Sequence, residues 1–575
     1  MMRRSLVVVL FLLCASLAGM SVLPSAQATV LFVGGAGPGN YTTIQDAINA
    51  STPGDTVYVY SGTYCGEILV NKALTLRGEG ALTTTIDACG SVSAVTILAD
   101  SVHIRDFTIV NGTDGAPEPP PPPVPVDPGI SVIGASDCLI SNNVISDNLI
   151  GILLWEAHNC VISNNSFSNN TWAIRIRPSE FRYSSEIAIR DNIFRSSTRE
   201  AIFADSLWQS TITNNTFEDG HGIFLYHSER VEVAHNDLSS EGGGIIVYFS
   251  YGNTVTDNTI SNPEWTAINI WGSNNLIARN RITNSDWGIS LYLSCTNTIR
   301  ENDIIGNKWG IILYLDEYEY WHPSVGNVFY HNNFVDNTNH ACDSGYDNEW
   351  DNGYPSGGNY WSDYSGPDEF SGPNQTEPGS DGFGDTPRVV DVCPNFPYEY
   401  VTPQHNEDRY PLMEPYVVPQ APPSRPQDLQ ATAGIARIVL DWHPPRYDGG
   451  SPITNYSIYR SYAPGTETLL VEIGNVTTYV DTGLELGKTY HYRVAARNAI
   501  GEGARSNEAS ATVLVALKPP LDLIRVPGFE NNTVSWTPPG GGGGSRICGS
   551  AGHEDCVREV GNVSSRRSSS GRTGG

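Results

Sequence analysis

Nine phrases fix the architecture: LISNNVI (139–145), VISNNSF (161–167), AIRDNIF (188–194), TITNNTF (211–217), EVAHNDL (232–238), TVTDNTI (254–260), LIARNRI (276–282), TIRENDI (298–304) and VFYHNNF (328–334). Reading their shared asparagine at Asn143, Asn165, Asn192, Asn215, Asn236, Asn258, Asn280, Asn302 and Asn333 gives steps of 22, 27, 23, 21, 22, 22, 22 and 31 residues. A unit near 22 residues that tolerates insertions is a solenoid repeat. Each asparagine is followed by an apolar residue, from Ile145 to Phe334, and then by an apolar pair such as Ile152/Leu154 or Ile289/Leu291 preceded by Gly or Ala. Period-two alternation in short runs broken by Asn and Gly specifies strands. Stacked coils of such strands make an all-β, right-handed parallel β-helix, expected over 29–347.

Outward from the repeat, Thr42–Ala50 (TTIQDAINA) has helical spacing and is expected to cap the first coil, because an unpaired strand edge recruits other chains. Residues 1–28 carry Arg3 and Arg4, an apolar run and a small-residue site at Ala26-Gln27-Ala28, the layout of a secretory signal peptide. That layout predicts a secreted, cell-surface or periplasmic chain. No later stretch is long and apolar enough to span a membrane. The net charge of −29, from 62 acidic and 33 basic residues, excludes nucleic acid as a partner. Cys65 and Cys89 are free to pair in an oxidising compartment, whereas Cys138, Cys160 and Cys295 are read as stacked small residues at one phase of the repeat. The proline-rich 115–128 interrupts the pattern as a projecting loop.

TIQDAI, PGDTVYV, GTY, LTLRGEG and the Asn ladder together resemble the β-helix family that includes periplasmic NosD proteins and carbohydrate-binding or sugar-hydrolase β-helices. The resemblance runs from about Thr29 to Pro415. Residues 348–417, rich in Gly, Asp and aromatics, resemble the segment that closes such solenoids. The stretch 418–515 opens with a proline-rich linker. It then resembles a fibronectin type III sandwich, with Trp442 and Tyr456 in the core and Leu484 with Tyr490 in a tyrosine corner. A second copy starts at 516–539, and 540–575 turns abruptly to Gly, Ser and Arg without strand alternation, as a frame slip or an aberrant or disordered tail would.

Three readings of chemistry compete. His221, in Asp219-Gly220-His221-Gly222, resembles the GHG signature of polygalacturonases, which implies a polysaccharide lyase or hydrolase. The chain has no Asp-Asp dipeptide to accompany it, and the repeat itself accounts for Gly222. Asp381 and Asp385, with Asp363 and Asp368, offer hard oxygen ligands for calcium around glycine turns. Copper needs soft or imidazole donors, and Met413 is the single methionine after residue 28. The third reading is a column one residue past each inner pair: Trp155, Arg177, Asp205, Tyr226, Tyr248, Trp271, Tyr292 and Tyr314. It is expected to face outward in register and, with Tyr320 and Trp321 from the insertion beside it, to bind a polysaccharide or a cell-surface partner. A structural adhesin or envelope component without a ligand is the remaining alternative.

Overall fold

The computed structural model describes residues 29–514 apart from 92, 113–127, 179–182, 219, 239–241, 315–323, 395–405, 435 and 446–447; beyond 514 it describes only four short strands. The leader, the proline-rich loop, Asp219, Tyr320 and Trp321 lie outside the described residues. The chain divides into two units, 1–418 and 419–575.

The first unit is the expected parallel β-helix. Each regular coil lays one strand in each of three parallel sheets of 13, 13 and 12 strands, as Leu139–Ser141, Val144–Ser146 and Ile150–Trp155 do. The residue just before each ladder asparagine has a left-handed backbone: Asn142 (φ 57°), Asp191 (57°), His235 (57°), Arg279 (55°), Glu301 (60°). These residues turn the chain and leave the asparagine itself free to point inward. The abundance of Asn and Asp at the turning position follows from their tolerance of that conformation.

Inside the turn, every ladder asparagine makes the same bonds. Asn258 donates its backbone N–H and Nδ2 to Asn280 Oδ1 (3.1 and 2.9 Å) and Nδ2 to Val233 O (2.9 Å). Its Oδ1 in turn accepts from the backbone N–H and Nδ2 of Asn236 (both 3.0 Å). The bonds satisfy donors that the buried turn would otherwise orphan, at about 1–3 kcal/mol per group. The ladder runs from Asn302 to Asn332, not to Asn333, and on to Asn359 (2.8 and 2.9 Å). Asn333 instead pairs across the second sheet with Asp303, so the sequence reading slipped by one at the His-Asn-Asn triplet.

A second ladder, Asn253–Asn275–Asn297–Asn327–Asn348, stands at the corner between the third and first sheets. Cys138 and Cys160 occupy its phase in earlier coils and are buried free thiols. Cys295 does not share that phase: it sits two residues earlier, bridged to Ser273 and Val325, and is half-buried. Three ladder phases in all end on ionisable acceptors: Asn359 on Asp408, Asn348 on Asp343, and Asn337 on His340 Nδ1.

At the N-terminal end, the helix Ile44–Ala50 buries Ile44, Ala47 and Ile48 and is capped by Thr43, which accepts from Asp46 N. Cys65–Cys89 is a disulfide, and a second one, Cys342–Cys393, ties the last coil to the closing segment. In the second unit, three-stranded and five-stranded antiparallel sheets enclose Trp442, Tyr456, Leu484 and Tyr490, and Tyr490 Oη accepts from Glu485 N (3.1 Å), the expected corner. Leu521–Arg525 pairs antiparallel with Val534–Thr537. Within 540–575, Ser545–Ile547 pairs with Val557–Glu559, strands too short for alternation to register in sequence.

Candidate functional site: an aromatic seam on the third sheet

The third sheet carries the column read from the sequence. Trp155 pairs with Arg177, Asp205 with Tyr226, Tyr226 with Tyr248, and Tyr248 with Trp271. The rings lie on one another: Tyr226–Tyr248 5.6 Å, Tyr248–Trp271 4.3 Å, Trp271–Tyr292 4.6 Å and Tyr292–Tyr314 5.1 Å between centroids. Phe203, Phe224 and Phe249 extend the contact laterally. Such pairs add about 0.5–1.5 kcal/mol each beyond burial. Because each ring covers its neighbour, the column is half-buried and not the open strip expected. Tyr292 is buried outright between Trp271 and Tyr314; Ile312 is buried at the C-terminal end of the seam, and Leu153 at its N-terminal end against Trp172.

The seam has two different ends. Toward the N-terminal coils it meets charge: Arg175 lies 4.3 Å from the Trp172 ring, and Asp205 sits 4.0 Å from His227. Burial pushes the Asp205 carboxyl up, while Ser206, His227 and Arg177 pull it back. Toward the C-terminal coils, Ile312 packs with Cys342 and Cys393 among Trp287, Trp309 and Tyr314, so the disulfide-tethered segment closes the seam. Coils approach closely along this strip, since a Cβ at Gly288 would stand 2.5 Å from Gly310 O.

Trp265 was missed by sequence reasoning. It is 68% exposed and directly precedes the strand Thr266–Ser273 that carries Trp271, in a turn that belongs to no apolar phase of the repeat.

The other candidates disperse. His221 is exposed and lies opposite Glu200 in the sheet register, and it belongs to no metal-holding cluster of three His, Cys, Asp or Glu side chains among the described residues. The acidic residues of the closing segment hold the protein's own amides. Asp368 accepts from Ser380, Asp381 N and Gly382 N, Asp385 from Glu369 N and Phe370 N, and Asp381 from Gly372 N and Phe383 N. Asp363 pairs with Arg388 (2.9 Å). Carboxylates aimed at N–H donors are poorly arranged for calcium.

Comparison with known proteins agrees with this architecture. The family model described as periplasmic copper-binding protein (NosD) matches residues 125–247 and 196–366, and the fibronectin type III model matches 424–512. A Kelch domain-containing protein of Saccharolobus solfataricus is 34% identical over 128 residues, 22% of this chain and 17% of that one. A cell surface glycoprotein of Methanothermus fervidus is 34% identical over 113 residues, 19% of this chain and 16% of that one. The slow-type myosin-binding protein C of Homo sapiens is 32% identical over 105 residues, 18% and 9% respectively. The matches thus span at most about a sixth of these relatives' own length. Among solved structures, DFA-IIIase from Arthrobacter chlorophenolicus A6 without its lid, in complex with GF2, shares 15% identity over 56% of this chain and 98% of its own, with a TM-score of 0.42.

Among the described residues copper meets no converging set of soft or imidazole donors. Met413 stands alone after residue 28, and no three His, Cys, Asp or Glu side chains converge among the described residues. The matched NosD model and the glycoprotein relative are both of extracytoplasmic proteins, in the periplasm or at the cell surface. The chain carries a NosD-like parallel β-helix domain followed by a fibronectin type III domain.

Proposed function

We propose that this is an exported binding protein that holds an extended polysaccharide along the third sheet of its β-helix. The observation that carries the reading is the aromatic seam from Tyr226 to Tyr314, continuous in register and in ring contact over five coils. Coils about 4.8 Å apart give a track about 19 Å long, several sugar rings in extent. Aromatic faces match the apolar faces of sugars, and tyrosine hydroxyls on the rim add polar contacts. Stacked rings are also preorganised, which lowers the ordering cost of binding. A cell-surface partner rich in glycan fits the same surface.

The test is a glycan array probed with wild type and with Trp271→Ala/Tyr292→Ala. Wild type is expected to retain at least one polysaccharide class, and the double variant to lose it by tenfold or more. Equal binding by the two proteins would remove the seam from the reading. Release of unsaturated or reducing sugar ends from a bound glycan would replace a binding role with an enzymatic one.

A further inference from the structure

The seam is not apolar throughout. The strand Thr266–Ser273 turns Asn269 outward between Trp265 and Trp271, and the next coil places Ser290 beside Asn269 in register. Both are polar residues at a position that neighbouring coils fill with Ile246 and Ile312.

Ser290 has 0% of its surface exposed, and its Oγ has no hydrogen-bond partner among the described residues. An unmet buried hydroxyl is a standing cost, and an alanine in its place would avoid it. Trp287, three residues earlier on the same strand, leans to within 5.6 Å of Tyr314, which in turn stacks on Tyr292. Ser290 stands three residues along the strand from Trp287 and wholly buried, so its hydroxyl reaches a ligand only if side chains of the seam shift. Asn269 is half-exposed, and its amide makes no hydrogen bond among the described residues. From Ile245 to Tyr314 the outward positions of the described strands of this sheet carry no Asp, Glu, Lys or Arg.

Resting on the glycan reading above, we infer that Asn269 and Ser290 form the polar floor of a single-sugar subsite for an uncharged, hydroxyl-rich ring, walled by Trp271 and Tyr292 and opened to Ser290 by a shift of the seam's rings on binding. The side-chain amide offers a donor and an acceptor to adjacent sugar hydroxyls, and Ser290 Oγ gains the partner it lacks. A uronate carboxylate would enter a site whose described strands offer no Lys or Arg to meet it, the nearby Lys308 being paired with Asp286, which sets the preference for neutral sugars.

The test uses the full chain and isothermal titration with neutral hexasaccharides of glucose, mannose and galactose and with hexamannuronate. At least one neutral hexasaccharide is expected to bind at least tenfold more tightly than hexamannuronate. Ser290→Ala is expected to melt at the wild-type temperature or above it, yet bind about tenfold more weakly. Asn269→Leu, similar in size, is expected to lose a comparable factor. A Ser290→Ala protein that is more stable and binds as wild type would reduce Ser290 to a packing position and overturn the subsite. Preference for hexamannuronate would overturn it too, while the aromatic seam stood. Failure of every glycan on the array and in titration would sink the seam and the subsite together.

Discussion

Asp408 shows how one side chain ends a repeat. It is fully buried, and its carboxylate accepts from Asn359 N (2.7 Å), Trp361 Nε1 (2.8 Å) and Tyr410 N (3.1 Å), standing where the next coil's asparagine oxygen would be. Burial pushes its carboxyl up from 3.8 to about 7, against the pull of those donors, and the charge of nearby Asp351 adds to the rise. Between these two values the folded chain keeps a proton that the unfolded chain has released. The protonated group's contribution is therefore fully present below about pH 4 and lost as pH rises through about 7. Asp408→Asn keeps the shape and one acceptor but does not titrate. Wild-type stability relative to that variant is expected to fall by up to about 4 kcal/mol from pH 4 to pH 7 and stay level above. Denaturant unfolding at a series of pH values reads this directly, and a difference independent of pH would count against the assignment. Nothing in the sequence marked Asp408, which lies 49 residues beyond Asn359 in a segment without a repeat.

At the scale of elements, the period-two and 22-residue signals were legible because each coil is built the same way, and the three sheets follow from them. What periodicity does not carry is the direction a ring leans. It placed Tyr292 outward, correctly as to side, but the rings of Trp271 and Tyr314 on either side bury it. The second ladder was hidden because its phase holds Cys138, Cys160, Ile187, Ser210 and Val231 before asparagine takes over at Asn253. The Cys342–Cys393 pairing joins the repeat to a region with no phase at all, so no spacing pointed to it. Closing a loop of 51 residues, that bond is worth about 4 kcal/mol on chain-entropy grounds. Cys342→Ser/Cys393→Ser is expected to be cut by trypsin within 348–417 much faster than wild type, with the rest of the β-helix persisting as a resistant fragment. Equal cleavage rates for the two proteins would show that the side-chain bonds of Asp343, Asp351 and Asp408 hold the segment without it.

For the whole β-helical unit, coils that each bond only to their neighbours make length a free variable. Removing 259–280, one full period, joins Asn258 to Arg281 and lets Asn258 bond Asn302 as it now bonds Asn280. The shortened protein is expected to fold with an unchanged strand signature and an m-value lower in proportion to the lost surface. A molten or insoluble product would mean that the coils are not interchangeable. It also lacks Trp265, Asn269 and Trp271, so its folding and its glycan binding part company. The ladders add a direction to this picture. Each ladder asparagine gives its backbone N–H and an amide N–H to the oxygen of the coil that follows it, while its own oxygen and its second amide N–H face the coil before. A chain that emerges N-terminus first therefore leaves unmet donors at its trailing edge, and the next coil to arrive brings the oxygen that fits them. Order of emergence and order of assembly coincide, and no completed rung has to open for a later one to form.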